Sequence, residues 1–125
     1  MTLRAEIVTG PVLQRVLPRI VGVLAARAQL PIDRLNDGLL IADAISAAAQ
    51  TTLGDDVKLA LTARADDTVT LELGPLRHDD AEHLLARTAI RSTGRIVERL
   101  ASVNLREGSG GTYIAIELAT SAPLG

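Results

Sequence analysis

Two segments of alternating apolar and polar residues, each centred on a short turn sequence, constrain this chain more than any other feature. The first spans residues 57–73 around Asp66-Asp67, and the second spans residues 103–118 around Gly108-Ser109-Gly110-Gly111. Alternation with a period of two is typical of strands that bury one face, and turn residues between two such runs predict β-hairpins. Two hairpins predict a largely antiparallel sheet whose apolar face other elements must cover.

Apolar residues at helical spacing predict the elements that cover this face. A short strand at residues 3–7 comes first, and the predicted helices then span residues 12–28, 33–53, 79–87 and 92–101. Pro11 suits the first position of the first helix, Asp33 is a suitable N-cap for the second, and Gly54 closes it. Ser92-Thr93-Gly94 predicts a break between the last two helices.

The predicted order of elements is therefore β, α, α, β, β, α, α, β, β, without an internal repeat, linker or low-complexity tract. The helices need one face of the sheet in order to bury their apolar stripes. We predict an α/β (α+β) two-layer sandwich, in which a mixed, largely antiparallel sheet carries helices on one face. A single domain would span residues 1–125, with about residues 3–119 structured.

Composition limits the chemistry that such a domain can carry. The chain has no Cys, Phe or Trp, so thiol chemistry is excluded and Tyr113 is the one ring on which a nucleobase could stack. The formal net charge of -2 gives no global attraction to nucleic acid or to an anionic membrane. No apolar run has the length of a signal peptide or a membrane span. We therefore expect a cytoplasmic protein that binds neither nucleic acid nor membrane.

Three strings in the first half of the chain match a known pattern in order and spacing. They are Pro11-Val12-Leu13 followed by Val16, then Gln29-Leu30-Pro31-Ile32-Asp33, then Asp43-Ala44-Ile45-Ser46-Ala47-Ala48-Ala49-Gln50-Thr51. Together with the element order, they resemble the GHKL (Bergerat-fold, histidine-kinase-like) ATPase domains of the anti-sigma-factor serine kinase type. The corresponding family strings are P-x-x-L-x-x-V, G-L-P-x-D and E-x-x-x-N-A-x-x-H. The resemblance covers about residues 3–119 and implies a Bergerat-like fold in a bacterial-type transcription regulator.

The resemblance also identifies where the catalytic chemistry changes. In the family, the Glu of the third string activates a water or hydroxyl, and the Asn holds the magnesium that bridges the nucleotide phosphates. Asp43 stands at the position of the Glu, Ala47 at that of the Asn and Thr51 at that of the His. Magnesium needs oxygen ligands, and a methyl group offers none. Asp43 is thus the catalytic base if the domain is active, and Ala47 replaces the expected metal ligand.

The nucleotide-binding motifs differ in the same way. Glu72-Leu73-Gly74-Pro75-Leu76 stands where the family has D-x-G-x-G, the Asp of which binds the adenine amino group. The family's G-x-G-L lid falls near residues 91–96 with one glycine missing, and its final G-T is present. If nucleotide binding is retained, the resemblance assigns it to Glu72, Gly74, Gly94, Gly111 and Thr112. We expect no cofactor, and ATP with magnesium only in the active alternative.

Three further clusters have both a functional and a structural interpretation. His78-Asp79-Asp80-Ala81-Glu82-His83 contains metal-ligand types, but the acids also suit a helix N-terminus. Asp37 and Asp43 could form a general-base site or lie as rim carboxylates in water. Residues 108–111 could form an anion-binding nest or a plain hairpin turn. We favour the structural interpretation of each.

Four arginines recur at intervals of four residues: Arg87, Arg91, Arg95 and Arg99. On a continuous helix they would stack like charges, which an acidic partner surface or an anion would offset. In the alternative, residues 92–94 break the helix and nearby acids such as Glu98 pair with the arginines. We treat the four arginines as candidate partner-binding residues.

These observations leave three hypotheses. The first is a regulatory protein-binding domain resembling an anti-sigma factor, without ATPase or kinase activity. The second is an ATP-binding serine/threonine kinase that acts on an anti-sigma-factor antagonist. The third is a small-ligand-binding domain that uses the remodelled nucleotide pocket. The resemblance implies a sigma factor or an anti-sigma-factor antagonist as the partner, and a homodimer as the assembly.

Overall fold

The computed structural model describes residues 1–90 and 94–121 of the chain. Seven strands lie in these residues: β1 (Thr2–Val8), β2 (Lys58–Ala65), β3 (Val69–Leu76), β4 (Ala89–Ile90), β5 (Gly94–Arg95), β6 (Ser102–Gly108) and β7 (Gly111–Leu118). Five of them form one sheet in the order β1-β2-β3-β7-β6, and every neighbouring pair is antiparallel. The second predicted hairpin therefore joins the first through its later strand, β7.

Four helices lie in the same residues: α1 (Pro11–Arg27), α2 (Ile32–Leu53), α3 (His78–Ala86) and α4 (Ile96–Leu100). α1 packs against α2, and α2 also contacts α3 and α4. Gly38 allows α2 to lie close to its neighbours, since a Cβ there would be 2.8 Å from Val21 Cγ1 and 3.0 Å from Leu118 Cδ2. None of the helices in the described residues is long and apolar enough to cross a bilayer.

The core lies between the sheet and the α1–α2 pair. Alternate residues of the central strands point into it, where they meet aliphatic side chains of the two helices. The lining residues are Leu61, Leu71, Leu73, Ile114 and Ile116 from the sheet and Leu17, Ile41, Ala42 and Ile45 from the helices. The intervening residues of the strands face the other side of the sheet, here named the open face. The predicted two-layer α+β sandwich with helices on one face is confirmed.

The predicted helix at residues 92–101 is wrong at its N-terminal end. Gly94 and Arg95 belong to β5, which pairs with β4, and α4 begins only at Ile96. Residues 91–93 lie outside the described part of the chain. The pairing of Ala89 with Arg95 replaces helical hydrogen bonds at this point, so local helix propensity does not decide the structure.

The start of α2 also differs from the prediction. Pro31, with φ −58° and ψ 157°, occupies the N-cap position, and its carbonyl accepts a 3.0 Å hydrogen bond from the Leu35 N–H. Asp33 lies within the first turn, where a carboxylate interacts favourably with the helix dipole without capping the helix. The other end agrees with the sequence, because Gly54 closes α2 with φ +80°.

A buried arginine connects α2 with the last part of the chain. Arg34 is 2% exposed, and its guanidinium donates to three oxygens. Nε lies 2.9 Å from Ala119 O, Nη1 lies 2.7 Å from Asp37 Oδ2, and Nη2 lies 2.7 Å from Leu100 O. Within the described residues no buried side-chain polar atom lacks a partner. Arg34 thus attaches α2 both to the end of α4 and to the residue that follows β7.

Candidate functional site

The two residues at the family's catalytic positions, Asp43 and Ala47, lie one turn apart on α2, and both are exposed. Asp43 makes no hydrogen bond or ion pair with any described residue. Thr51, which stands at the position of the family His, donates from its hydroxyl to Ala47 O at 3.1 Å. This face of α2 therefore offers one carboxylate and, one turn further along, a methyl group.

Asp37, the second acid of α2, has a structural partner. Its Oδ2 accepts the 2.7 Å hydrogen bond from Arg34 Nη1, and the Arg34 side chain is 3% exposed. Asp37 is thereby held against the buried guanidinium, while Asp43 lies at the surface. The structure does not bring the two acids together as a general-base pair.

Glu72 lies in the other half of the molecule, on the open face. Its strand neighbours Leu71 and Leu73 point into the core, and successive residues of a strand point to opposite faces. Glu72 Oε1 accepts a 2.9 Å hydrogen bond from Arg106 Nε and a second from Arg106 Nη2. Asp43 is on a helix packed against the opposite face. The sheet thus lies between these two sequence-predicted site residues.

A neighbouring aromatic ring lies in the space that a side chain at Gly74 would need. A Cβ at Gly74 would lie 2.8 Å from Tyr113 Cδ2 and 2.8 Å from Thr112 O. The ring of Tyr113 also closely approaches Gly108 and has the Arg106 guanidinium carbon 4.9 Å from its centroid. The absence of side chains at the two glycines makes room for this ring. Tyr113 therefore has a packing role on the sheet, in a molecule in which it is the one aromatic residue.

Gly111 and Thr112 form a third local arrangement. Gly111 has φ +150°, and a Cβ there would lie 2.6 Å from Leu76 O, so the close contact between β7 and the end of β3 requires glycine. Thr112 is buried and donates from its hydroxyl to Glu107 Oε1 at 2.8 Å. The Thr112 hydroxyl, in a residue that the resemblance assigns to nucleotide binding, thus already donates to a carboxylate.

His78 lies between two carboxylates. Its Nδ1 is 3.5 Å from Glu107 Oε1, and its Nε2 is 3.6 Å from Glu82 Oε1. Glu107 comes from β6 and was missed by the sequence prediction, because nothing local links position 107 with position 78. Asp79 and Asp80 lie in the first turn of α3. No group of three or more metal-ligating side chains occurs among the described residues.

The row of arginines does not form one helical stripe. Arg87 lies at the C-cap of α3 and donates from Nη1 to Thr52 Oγ1 at 2.9 Å. Arg95 lies in β5 and Arg99 in α4, and Arg91 is outside the described residues. The predicted break between helices therefore agrees with the structure, since the three described arginines belong to different elements.

The open face carries a polar groove with about 510 Å³ of open space. It is lined by two arginines, three threonines and a glutamate: Thr2, Arg4, Thr62, Arg64, Thr70 and Glu72. Arg64 Nε lies 3.5 Å from Asp66 Oδ2, and Arg4 makes no ion pair with any described residue. Guanidinium and hydroxyl groups on one surface suit the recognition of carboxylate or phosphate groups.

Comparison with known proteins adds no relative to this description. No protein-family model matches the chain, and no curated protein matches it. The relation to the GHKL domains stays a prediction, which depends on the strings at Pro11, Pro31, Asp43, Glu72 and Gly111.

Proposed function

We propose that this chain is a regulatory protein-binding domain of the anti-sigma-factor type that works without ATPase or kinase activity. Its partner would be a regulatory protein, a sigma factor or an anti-sigma-factor antagonist. The observation that carries the proposal is the separation of the residues that the resemblance assigns to the nucleotide and its metal. Glu72 lies on the open face and is bound by Arg106, whereas Asp43 and Ala47 lie on a helix beyond the opposite face.

The α2 surface supports this proposal, because it has no oxygen ligand at the position where the family pattern holds magnesium. Magnesium is usually held by one or two carboxylates together with substrate phosphates. Asp43 provides one carboxylate, and the alanine one turn later provides no ligand atom. A divalent ion that neutralises a triphosphate would thus lack the side-chain oxygen that the Asn supplies in the family pattern.

The adenine position supports it independently. Recognition of the adenine amino group requires an acceptor oxygen that faces the nucleotide. Glu72 Oε1 already accepts from Nε and Nη2 of Arg106, and the Glu72 side chain is 28% exposed on the face away from α2. A nucleotide beside α2 would have no contact with Glu72 unless β3 were rebuilt.

We assign partner binding to two surfaces, the open face and the segment that carries the four arginines. The open face has no helix packed on it among the described residues, and its groove presents the guanidinium of Arg4. An extended or helical segment with carboxylate side chains would complement such a surface. Specificity for a regulatory protein would then come from charge placement rather than from a deep pocket.

Thermal unfolding with magnesium-ATP tests the proposal against the kinase alternative. A ligand at 100 times its dissociation constant adds about 2.7 kcal/mol of stability. We expect the unfolding temperature to stay constant as magnesium-ATP is added, and to rise with a purified partner regulator. A concentration-dependent rise with magnesium-ATP would contradict the proposal and support the ATP-binding serine kinase. A rise of the unfolding temperature with a small metabolite that is not a nucleotide would support the ligand-binding alternative.

A further inference from the structure

Two arginines of the open face lie diagonally across the first two strands of the sheet. In the register of β1 with β2, Arg4 lies opposite Thr62, and the next pair on this face is Arg64 opposite Thr2. We propose that these four residues and Thr70 form a binding site for a phosphomonoester, the phosphate group of a small metabolite or of a phosphorylated side chain. This inference goes beyond the proposed function, because phosphate binding at this groove requires no regulatory partner.

The four positions on β1 and β2 form a square with an arginine at two opposite corners. Residues directly opposite on an antiparallel pair have Cβ atoms about 4.5–5.5 Å apart, and diagonal neighbours are about 7–8 Å apart. Long side chains reach across such a diagonal, so Arg4 and Arg64 can meet above the square. Thr2 and Thr62 occupy its other two corners, and Thr70 on β3 lies opposite Arg64. An anion between the two guanidinium groups would therefore have hydroxyl donors around it.

The hydroxyls of the groove are not used by the fold. The side chains of Thr2, Thr62 and Thr70 make no hydrogen bond with any described residue. By contrast, the hydroxyls of the buried residues Thr9 and Thr88 each donate to a backbone carbonyl at 2.6 Å. The three threonines of the groove can thus donate to a ligand without breaking an internal hydrogen bond.

The ion pairs around the groove leave both arginines able to bind an anion. Glu72 is the one acid among the residues that line the groove, and Arg106 already donates to it through Nε and Nη2. Arg4 makes no ion pair with any described residue. Arg64 is 3.5 Å from Asp66 through Nε, so its two Nη atoms remain available. A negative group in the groove would also offset the repulsion between the two arginines.

Acids on the same face limit the site to one phosphate group. Glu6 lies two residues after Arg4 on β1, and Glu117 lies opposite Thr70 on β7. These carboxylates repel further negative charge on two sides of the groove. No aromatic ring is among the lining residues, so a nucleobase would have no stacking surface there. The groove therefore suits a single phosphate and not a nucleic-acid backbone.

The donors favour a phosphomonoester over a carboxylate. One guanidinium group can occupy both oxygens of a carboxylate through two parallel hydrogen bonds. A phosphomonoester has three terminal oxygens and about 1.5 to 2 negative charges at pH 7, so it can accept from both arginines and from a hydroxyl. A phosphodiester has fewer terminal oxygens and a single charge, and it matches the two guanidinium groups less well.

Titration of the full chain with methyl phosphate, followed by the NMR shifts of its backbone amides, tests the proposal. We expect saturable shifts in β1 and β2, and a dissociation constant at least about tenfold lower than for dimethyl phosphate or acetate. Glycerol 3-phosphate and a phosphoserine blocked at both ends carry the same group on the two kinds of source. The one that binds more tightly identifies the source that fits the rest of the groove.

Single substitutions locate the site. Arg4→Gln and Arg64→Gln should each raise the dissociation constant of methyl phosphate about tenfold, because each removes a charged donor. Thr62→Val keeps a β-branched side chain but removes the hydroxyl, and should raise the dissociation constant about threefold. The matched control is Arg15→Gln, at an exposed position of α1 on the other side of the sheet, which should leave it unchanged.

The amide spectrum of each variant, compared with the wild-type spectrum away from β1 and β2, shows whether the fold is intact. Absence of saturable shifts with every phosphomonoester would overturn the proposal. Equal affinities for methyl phosphate and acetate, or equal effects of Arg4→Gln and Arg15→Gln in folded variants, would overturn it as well. None of these results bears on the proposed regulatory function, because no partner protein is present in the titration.

Discussion

The guanidinium of Arg34 donates a 2.7 Å hydrogen bond to the carbonyl oxygen of Leu100, the last residue of α4. The two residues are 66 positions apart, and this bond attaches the end of the α4 segment to the first turn of α2. A second bond reaches Ala119 O beyond β7. Because Arg34 is 2% exposed, these bonds form where water does not compete freely.

We predict that Arg34→Met lowers the free energy of unfolding by about 3 kcal/mol, because it leaves the Asp37 carboxylate and two carbonyls without their donor. Urea denaturation followed by circular dichroism measures this loss. The control is Arg27→Met, an exposed arginine in the last turn of α1, which should change stability by no more than about 0.5 kcal/mol. Equal effects of the two substitutions would show that the Arg34 contacts add nothing to stability.

Gly74→Ala should destabilise the protein by about 1–3 kcal/mol, because the new Cβ must displace the Tyr113 ring or the Thr112 carbonyl. The matched change is Gly22→Ala in the interior of α1, where a Cβ meets no atom within 4 Å. That substitution should stabilise the protein by up to about 1 kcal/mol through helix propensity. In thermal unfolding, the melting temperatures of Gly74→Ala and Gly22→Ala should shift in opposite directions if the ring packs as described. A neutral Gly74→Ala variant would contradict this packing.

Introducing the Glu and Asn of the GHKL pattern on α2 should not create nucleotide binding. In Asp43→Glu/Ala47→Asn, the helix carries both side chains of the GHKL pattern, but Glu72 still faces the other side of the sheet and is bound by Arg106. We expect isothermal titration of this variant with magnesium-ATP to give no binding heat, as for the wild-type protein. Saturable binding by the variant would show that Glu72 is not needed for nucleotide binding and that the two substitutions on α2 are enough to create it.

The joint substitution Arg91→Glu/Arg95→Glu should weaken binding of the proposed regulatory partner about tenfold or more, because reversed charges repel an acidic surface. The control is Arg15→Glu/Arg27→Glu, which makes the same charge change at exposed positions of α1. Surface plasmon resonance with a purified sigma factor or antagonist compares the two variants. If both bind like the wild-type protein, the arginine segment is not part of the interface.

Part of the candidate site could be anticipated from the sequence. Glu72 alternates with Leu71 and Leu73, and this pattern alone indicates that it points away from the core. The resemblance assigns Glu72 to adenine from its position in a motif, and a motif does not record to which face of the sheet a residue points. The sequence contains no comparable signal for the contact between His78 and Glu107, because the two residues belong to elements that are distant in the chain.

The sequence by itself determined the order of the main helices and strands, the aliphatic core and the methyl group at position 47. These follow from the spacing of apolar residues and from residue identity, which are local properties. Only the tertiary structure decided that β7 lies beside β3, that Arg34 reaches Leu100 and Ala119, and that β4 and β5 replace the start of a helix. Such pairings depend on which surfaces meet after the chain has folded, and local preferences differ too little in energy to select them.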